Sequence, residues 1–577
     1  MAQYRAIETR RVWLPAAFFG AFALLIFARL FQLQVLEHSS YASTAQQELL
    51  GDDVIYARRG AILDRNGNVL AMSVDTWDIY VSSRAWKDPA RATAASEALG
   101  KALTIDPAEL RRTVAASKSV DVLIRRDVDY EVGKTLLKAN LTGIIGLPNT
   151  ARVNPEGDTA ASVLGLIGLD NTGLAGIEAA LNNDLQGKPG RAVYERDTTG
   201  EPIPFAQHVA QKPTAGSDLQ LTIDRYIQQL VERTLDQGIK DHRAQGGDII
   251  VMDPTNGDIL AFASRPGLQY STLNLDDPKS MELLRNRAVT DLYEPGSVMK
   301  VVTASGAIDA GVVSPDTTYV DTGVAHIYEI SLKNWDDRVY GTQTMTQVLQ
   351  NSINTGAVFM VEKLGAKAFQ SYLDAFGFGK PTGIELTGEA DGIIRRPGDR
   401  NYSPVDVATQ AFGQSISVTP LQMITAIAAS INGGKLYKPH LVKSIIAPGG
   451  KRTDRQPEVV AKPIRPDTSA TIREMLDAVV NPEGFRYPGA PRDYRAGGKS
   501  GTANVPIPNG YDDRQIASFI GFAPVDSPKV IILVKLDQNQ DLATGTQAAA
   551  PIFARLADDI LHYLGVAPGA TKAVAKP

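Results

Sequence analysis

The chain of 577 residues contains no cysteine, which excludes disulfide bonds, thiol nucleophiles and cysteine-ligated zinc. Histidine is scarce too: the six histidines are scattered, with no His-Glu-x-x-His or other paired ligand spacing. The formal net charge of -5 leaves no extended basic field that could bind nucleic acid. We therefore expect a protein that holds no metal and no cofactor and has no nucleic-acid partner.

Hydrophobic residues make up 44% of the chain and charged residues 21%, as in a folded protein. The length exceeds that of one ordinary core, so roughly three or four structural units are expected. We divide the chain into a cytoplasmic N-terminus (1-11), a transmembrane anchor (12-36), a pedestal region (37-215), a large C-terminal domain (216-566) and a disordered tail (567-577).

An apolar run near the N-terminus predicts one transmembrane helix. Val12 to Ala28 form 17 residues without a charge, which span about 25 Å as a helix. Continuing to Leu36 makes the run long enough to cross a bilayer, and Arg29 can snorkel to the far interface. A cleaved signal peptide is the alternative, since Ala21-Phe22-Ala23 is an Ala-x-Ala match, but the apolar run continues through that site.

Positive charges set the expected orientation of this helix. Arg5, Arg10 and Arg11 precede the apolar run, and basic residues near a transmembrane helix stay in the cytoplasm. We therefore expect a single-pass protein of the cytoplasmic (inner) membrane, with the C-terminal domain outside the cytoplasm.

The pedestal region is expected to be an elongated α+β domain without a nucleophile and base of its own. Alternating residues around Asn66-Gly67 predict a hairpin with a short second strand. Further predicted elements are helices at Ala90 to Leu103 and Tyr130 to Ala139, and a helix that opens at Gly173 to Glu178 and closes at Gly187 to Gly190.

The C-terminal domain is predicted to be α/β (α+β), with an antiparallel sheet and its terminal helices packed on one face. The predicted elements are a strand at Leu219 to Ile223, a helix at Asp224 to Lys240, a hairpin at Gly247 to Ser264, strands at Ile516 to Ala523 and Val530 to Leu536, and a helix at Thr546 to Leu564.

The segment Asp291 to Lys300 places a Ser-x-x-Lys pair at the start of a predicted helix. Pro295 and Gly296 form a turn, after which apolar residues predict a buried helix that begins near Ser297. Residues three apart share a helix face, so the Lys300 amine can reach the Ser297 hydroxyl and take its proton. The helix N-terminus adds N–H groups where negative charge develops. Alone the pair is weak, because roughly one or two such matches arise by chance in a chain this long.

Two further motifs strengthen the interpretation of Ser297 and Lys300 as a nucleophile and its base. Ser352-Ile353-Asn354 ends a helical segment predicted to begin near Thr344. Lys499-Ser500-Gly501-Thr502 follows two glycines and leads into a strand-rich region. The order Ser-x-x-Lys, Ser-x-Asn, Lys-Ser-Gly-Thr is the set used by penicillin-binding serine acyltransferases.

With these residues the chain resembles the class B penicillin-binding proteins, the monofunctional peptidoglycan DD-transpeptidases. The resemblance covers nearly the whole chain, including the anchor, the three motifs, and the segments Arg59 to Gly67, Gly173 to Glu178, Phe376 to Gly379, Ala411 to Gln414 and Val418 to Gln422. Tyr293 to Ser297 and Asn351 to Ala357 look more like the division-type branch (FtsI and SpoVD) than the elongation-type branch. Ile353 and Ser415 depart from the family, where Ser and Gly are common, and neither change removes a side chain that the chemistry needs.

The resemblance implies a penicillin-binding transpeptidase fold with a defined catalytic group. Ser297 is the expected nucleophile and Lys300 its base, which must be neutral and therefore needs a pKa lowered by burial and by Lys499. Ser352 is expected to relay a proton to the leaving amine. Asn354 is expected to hold Lys300 and the substrate amide.

The resemblance also implies a substrate-binding strand. Ser500 and Thr502 alternate onto one strand face, where they are expected to bind a terminal carboxylate. Gly501 is expected to let the substrate backbone approach closely. The backbone N–H groups of Ser297 and Thr502 are the expected oxyanion hole.

The implied function is the cross-linking of peptidoglycan stem peptides ending in D-Ala-D-Ala during septal wall synthesis, with covalent inhibition by β-lactams. No glycosyltransferase motif precedes the pedestal, so an FtsW-type lipid II polymerase and other division proteins of the membrane are implied partners. The alternatives are an elongation-type transpeptidase, a β-lactamase or DD-carboxypeptidase, a penicillin-sensing receptor and an inactive scaffold. The pedestal argues against a free hydrolase, the intact motifs against a scaffold, and the lack of multiple apolar spans against a receptor.

Overall fold

The computed structural model describes residues 2-41, 50-196, 202-507 and 510-569. Most of the predicted tail after residue 566 therefore lies outside the described residues. The chain divides into two compact units, Met1–Arg58 with Lys188–Thr214, and Arg59–Gly187 with Ala215–Pro577.

The first unit contains a long helix and a small sheet. The helix Ala2–Phe31 continues into a π-helical turn, Gln32–Leu36. Its segment Trp13–Leu36 has a mean hydropathy of 2.0 and is long and apolar enough to cross a membrane, in agreement with the predicted anchor. A three-stranded antiparallel sheet has the order Leu50–Ile55, Gly190–Arg196, Pro202–Gln211.

The second unit opens with the predicted hairpin. Strand Ile62–Leu63 pairs antiparallel with Val69–Ser82 across a turn in which Gly67 has a φ of 89°. The second strand is much longer than predicted, because it pairs with two partners, Asp121–Asp129 and Ile144–Val153. Cross-strand pairing, which depends on distant residues, therefore sets its length.

Three helices lie in this stretch of the pedestal region, and the first and the last confirm the predicted helices at Ala90 to Leu103 and Tyr130 to Ala139. They are Pro89–Leu103, Pro107–Ala116 and Tyr130–Lys138. Each begins after an aspartate, Asp88, Asp106 or Asp129, whose carboxylate accepts free backbone N–H groups of the first turn. Their apolar faces pack with the strands in one cluster that includes Ile79 and Leu99.

The chain from residue 161 to 190 is irregular, although its part from 173 to 190 is predicted to form a single helix. Its elements are Ala161–Leu164, the strand pair Leu166–Ile167 and Gly173–Ala175, and the helices Gly176–Ala180 and Asn182–Leu185. Gly176 has a φ of 61° and lies against Val163, so the chain turns sharply there. Buried Glu178 then accepts hydrogen bonds from Arg59 Nε at 2.5 Å and Arg152 Nε at 2.7 Å, which ties the segment to the hairpin.

One mixed sheet contains strands from both sides of residue 215. Strand Asp218–Leu221 runs parallel to Ile62–Leu63 and antiparallel to Val442–Ile446, which pairs with Arg452–Asp454. The following helix, Arg225–His242, begins after Asp224 as its N-cap, close to the prediction. These elements do not test the predicted domain boundary at residue 215, which therefore stays a prediction.

The C-terminal domain contains the predicted antiparallel sheet. Its five strands lie in the order Ile259–Arg265, Gly246–Met252, Val530–Asn539, Gly510–Ala523, Gly497–Ile507. Helices Arg225–His242 and Gly545–Tyr563 cover one face and bury residues such as Val231, Ile532 and Phe553 between them and the sheet. The strand Gly497–Ile507, called the edge strand below, has one sheet neighbour among the described strands.

The remaining elements pack mainly on the opposite face of this sheet. The helices are Pro278–Glu282, Arg287–Thr290, Met299–Asp309, Met345–Gln350, Asn354–Leu364, Ala366–Ala375, Pro404–Gln410, Pro420–Ile431 and Pro466–Val480. Four two-stranded ribbons pair Thr318–Asp321 with Gly341–Thr344, Val324–Ile327 with Ile330–Lys333, Ile393–Ile394 with Ile416–Ser417, and Leu436–Tyr437 with Val459–Ala461. One large apolar cluster joins many of these elements to Ile250, Phe262 and Leu533 of the sheet.

Candidate active site

Ser297 lies where a tight turn becomes a helix. The 3-10 turn Gly296–Val298 leads directly into the helix Met299–Asp309, which confirms a helix start near Ser297. Gly296 has a φ of 56°, and a Cβ there would lie 2.9 Å from the Thr502 carbonyl oxygen, so glycine suits this contact with the edge strand. Ser297 is partly exposed while its neighbours Gly296 and Val298 are buried. The Ser297 hydroxyl is therefore accessible, while the backbone on either side of it is packed in the core.

The Lys300 amine lies beside this hydroxyl. Its Nζ is 3.0 Å from Ser297 Oγ and donates to the Ser352 carbonyl oxygen at 2.6 Å and to Asn354 Oδ1 at 2.8 Å. The Ser352 hydroxyl is also near, at 3.3 Å. Lys300 is 0% exposed, and among the described residues its partners are all uncharged.

The surroundings favour the neutral form of this amine. Burial lowers the pKa of Lys300 well below its usual 10.5, and the nearby charge of Lys499 lowers it further. Burial also lowers the pKa of Lys499 to about 7. Both causes required by the sequence-based hypothesis, burial and a second lysine, are thus present at the site. A neutral Lys300 can accept the Ser297 proton.

Ser352 bridges the two lysines from a strained position. Its Oγ accepts a hydrogen bond from Lys499 Nζ at 3.0 Å and also lies 3.3 Å from Lys300 Nζ. Its φ of 55° is left-handed, which is unfavourable for serine and typical of functional positions. This backbone corrects one prediction: the helix Met345–Gln350 ends before Ser352, and Asn354 begins the next helix, Asn354–Leu364.

The edge strand approaches the serine turn through Gly501. A Cβ at Gly501 would lie 2.7 Å from the Pro295 carbonyl oxygen and 3.0 Å from Val298, so a larger residue would push the strand away. Lys499, two residues earlier on the same strand face, reaches Ser352 as described above.

Ser500 and Thr502 lie on the other face of the edge strand. Thr502 Oγ1 accepts a hydrogen bond from the Gly545 N–H at 3.0 Å, at the start of the helix Gly545–Tyr563. The Tyr487 hydroxyl lies 3.1 Å from Thr546 Oγ1, in the first turn of the same helix. The positive end of this helix dipole therefore lies beside Thr502, one of the two residues whose hydroxyls are predicted to bind a carboxylate.

A second buried lysine offers a contrast to Lys300. Lys535 Nζ lies 3.0 Å from Asp248 Oδ2 and 2.6 Å from Asp537 Oδ1, and 5.4 Å from the centre of the Tyr293 ring. Burial acts to lower the pKa of Lys535, but the two carboxylates outweigh it and raise that pKa. An ordinary structural lysine thus remains charged, whereas Lys300 lacks any such partner among the described residues.

Two polar residues near the site carry no sequence signal. Asn334 and Asp321 lie in the segment of small ribbons before the Ser-x-Asn motif, and both are nearly fully buried. The Asn334 side chain reaches the backbone of Asn354 across 20 residues of sequence, a contact that local periodicity cannot predict. In the described part of the chain, no group of three or more metal-ligating side chains comes together.

This fold and this site define a class: the penicillin-recognising serine acyltransferases, in which a helix-start serine, a buried lysine and a Lys-Ser-Gly-Thr strand converge. The comparisons with known proteins agree. Residues 247–558 match the penicillin binding protein transpeptidase domain, and residues 54–221 match the penicillin-binding protein dimerisation domain. The chain belongs to the penicillin-binding protein transpeptidase family.

Similar proteins span nearly the whole chain. Stage V sporulation protein D of Bacillus subtilis is 34% identical over 570 residues, covering 97% of this chain and 87% of that protein. Peptidoglycan D,D-transpeptidase FtsI of Escherichia coli is 29% identical, covering 95% of this chain and 91% of that protein. These relatives belong to the division-type branch that the sequence favours.

Solved structures share the fold. Penicillin-binding protein 2X of Streptococcus thermophilus superposes with a TM-score of 0.78 at 24% identity, covering 89% of this chain and 81% of that chain. Penicillin-binding protein 3 of Mycobacterium tuberculosis, in complex with aztreonam, has a TM-score of 0.69 at 26% identity, covering 91% of this chain and all of that one.

Proposed function

We propose that this chain is a membrane-anchored peptidoglycan D,D-transpeptidase that forms an acyl-enzyme on Ser297. The observation that carries the proposal is the Lys300 amine, fully buried without a charged partner among the described residues and 3.0 Å from Ser297 Oγ. The relatives named above include a protein described as a peptidoglycan D,D-transpeptidase. The chemistry of the site and the similarity to these relatives therefore support the same reaction.

In the acylation step, Lys300 takes the proton as Ser297 Oγ forms a bond to the carbonyl carbon between the last two D-alanines. The tetrahedral intermediate then loses its C–N bond, and the terminal D-Ala leaves as an amine. Ser352 lies between Lys300 and Lys499 and is placed to pass a proton to that amine. Asn354 keeps Lys300 in line through its Oδ1.

In the second step, an amine of another stem peptide attacks the acyl-enzyme. Lys300, neutral again after its proton has passed through Ser352 to the leaving D-Ala, takes a proton from the attacking amine. A new amide bond forms, the ester bond to Ser297 breaks, and the Ser297 oxygen receives that proton from Lys300. The backbone N–H groups of Ser297 and Thr502 are proposed as the oxyanion hole, because the serine turn packs directly against Thr502. Ser500 and Thr502 are proposed to bind the terminal carboxylate, and Gly501 allows close approach of the substrate backbone.

The setting that we propose is the outer side of the cytoplasmic membrane during division. Trp13–Leu36 supplies one apolar helix, and the arginines before it favour a cytoplasmic N-terminus. An FtsW-type lipid II polymerase and other division proteins are the proposed membrane partners, since the chain carries no recognisable glycosyltransferase motif. Stem peptides ending in D-Ala-D-Ala are the proposed substrates, and β-lactams the covalent inhibitors.

A peptide assay tests the reaction. The full-length protein in detergent is given a donor peptide ending in D-Ala-D-Ala and an acceptor peptide with a free amine. We expect release of D-Ala together with the cross-linked product, and neither in Ser297→Ala. Release of D-Ala with hydrolysed donor as the main product would replace the proposal with a carboxypeptidase. No release in the folded protein would favour a scaffold.

A further inference from the structure

The helix Asn354–Leu364 obtains its N-terminal cap from a distant residue. Its own N-cap residue, Ile353, provides no side-chain hydrogen bond. Asn334 provides one instead: its Oδ1 accepts the N–H groups of Asn354 at 3.1 Å and Thr355 at 3.3 Å. Asn334 is 3% exposed, so water does not replace it easily. The backbone position of Asn354 therefore depends on Asn334.

Asp321 holds Asn334 in turn. Its Oδ2 accepts the Asn334 Nδ2–H at 3.0 Å, and its Oδ1 accepts the Thr355 hydroxyl at 2.6 Å. Backbone N–H groups of Gly323 and Tyr340 complete the shell, at 3.1 Å and 2.7 Å. Burial acts to raise the pKa of Asp321, but these hydrogen bonds outweigh it and lower that pKa. The Asp321 carboxylate is thus charged, and each of these four hydrogen bonds joins it to a donor.

The side chain of Asn354 is held from both ends. Its Nδ2 donates to the Lys333 carbonyl oxygen at 2.9 Å, and its Oδ1 accepts from Lys300 Nζ at 2.8 Å. Lys333 and Asn334 are consecutive, so one short segment fixes both the backbone and the side chain of Asn354. We call Asp321, Lys333 and Asn334 the asparagine clamp.

We propose that Asn334 and Asp321 are positioning residues for acylation: through the asparagine clamp they hold Asn354, and thereby direct the Lys300 amine at Ser297. Neither residue touches Ser297 or Lys300 in a described hydrogen bond. Their effect is geometric, since a displacement of about 1 Å at a catalytic group can reduce a rate a hundredfold. The inference rests on the proposed function, because it concerns the same serine.

Asn334→Ala is the first test, made in the full-length protein in detergent. Without the clamp, the rate constant for acylation by benzylpenicillin should fall about tenfold to a hundredfold per folded molecule. Asp224→Ala is the matched control, because Asp224 is an equally buried N-cap whose helix, Arg225–His242, carries no site residue. The control should lose thermal stability and keep the wild-type acylation rate constant.

A carboxyl group at position 334 gives the sharper readout. Asn334→Asp places two carboxylates together and at neutral pH should acylate as slowly as Asn334→Ala. At lower pH one proton shared by the pair gives position 334 both an oxygen for the N–H groups of Asn354 and Thr355 and a donor for Asp321, so the rate of Asn334→Asp relative to the wild type should recover about tenfold, whereas that of Asn334→Ala should not. If Asn334→Ala does not fold, Asp321→Asn alone serves as the second variant, with an expected loss of about tenfold.

The outcomes separate the two proposals. Slow acylation in Asn334→Ala, with recovery of Asn334→Asp relative to the wild type at lower pH, supports the positioning role. Wild-type acylation in folded Asn334→Ala or Asp321→Asn, or equal slowing in Asp224→Ala, overturns the positioning role alone. A wild-type protein that forms no adduct at all would overturn the proposed function, and the positioning role with it.

Discussion

Lys300→Met separates the catalytic role of the buried lysine from its effect on stability. Methionine has a similar length and no charge, so it can fill the space without a base. Loss of a positioned general base should lower the acylation rate constant by about two to four orders of magnitude. The amine now 3.0 Å from Ser297 Oγ is the only described amine hydrogen-bonded to that hydroxyl, so little residual catalysis is expected.

The same substitution should leave the fold nearly as stable as in the wild type. Removing the amine leaves the Ser352 carbonyl and Asn354 Oδ1 without their donor, which costs about 1–3 kcal/mol. The opposing gain is relief from burying an amine that must give up its proton on folding, because its pKa is lowered well below 10.5 in the folded state. Because the folded-state pKa is lowered, the wild-type penalty is absent above pH 10.5 and grows as pH falls toward the folded-state pKa. The relative stability of Lys300→Met should therefore rise as pH falls through this window.

Lys535→Met is the matched control, since Lys535 is also a buried lysine of this domain. Its removal leaves the carboxylates of Asp248 and Asp537 unpaired, and breaking a buried ion pair costs about 3–5 kcal/mol. Thermal unfolding and stopped-flow acylation of both variants give the comparison. A folded Lys300→Met with wild-type acylation would refute the base assignment, and a loss of stability equal to that of Lys535→Met would refute the electrostatic account.

Two further predictions concern the second lysine and the membrane orientation. The charge of Lys499 lowers the pKa of Lys300, so Lys499→Met should raise it and move the acidic limb of the acylation pH profile to higher pH, besides slowing the reaction. A limb that stays in place or moves to lower pH would contradict the coupling. A reporter that is active only in the cytoplasm, fused after Pro577, should be silent, and a bright signal would refute the proposed orientation.

Much of the fold could be predicted from the sequence where the deciding contacts are local. The spacing of Ser297 and Lys300 places both residues on one helical turn, which brings the two side chains within reach of each other. The start of the helix Arg225–His242 follows from Asp224, a residue type that caps helices. The glycine turn at Gly67 likewise predicts its hairpin.

What the sequence could not predict depends on residues far apart in the chain. The left-handed backbone of Ser352 could not be predicted, because serine rarely adopts that conformation and no sequence pattern marks it. The cap from Asn334 and the two carboxylates around Lys535 join separate elements, and no periodicity marks them. The strand Val69–Ser82 is longer than predicted, because pairing with the strands 121–129 and 144–153 sets its length.

The central claim is that Ser297 forms an acyl-enzyme that water does not readily release. Glu294, the acidic residue nearest to Ser297 in sequence, is buried and accepts the Ser415 N–H, so we do not assign it the water-activating role of the class A β-lactamase glutamate. The most direct measurement is the intact mass of the full-length protein after benzylpenicillin is added and excess drug removed. We predict a long-lived gain of one penicillin mass that maps to Ser297 and is absent in Ser297→Ala. Absence of any adduct, or its rapid loss with continuing turnover of free drug, would contradict the account.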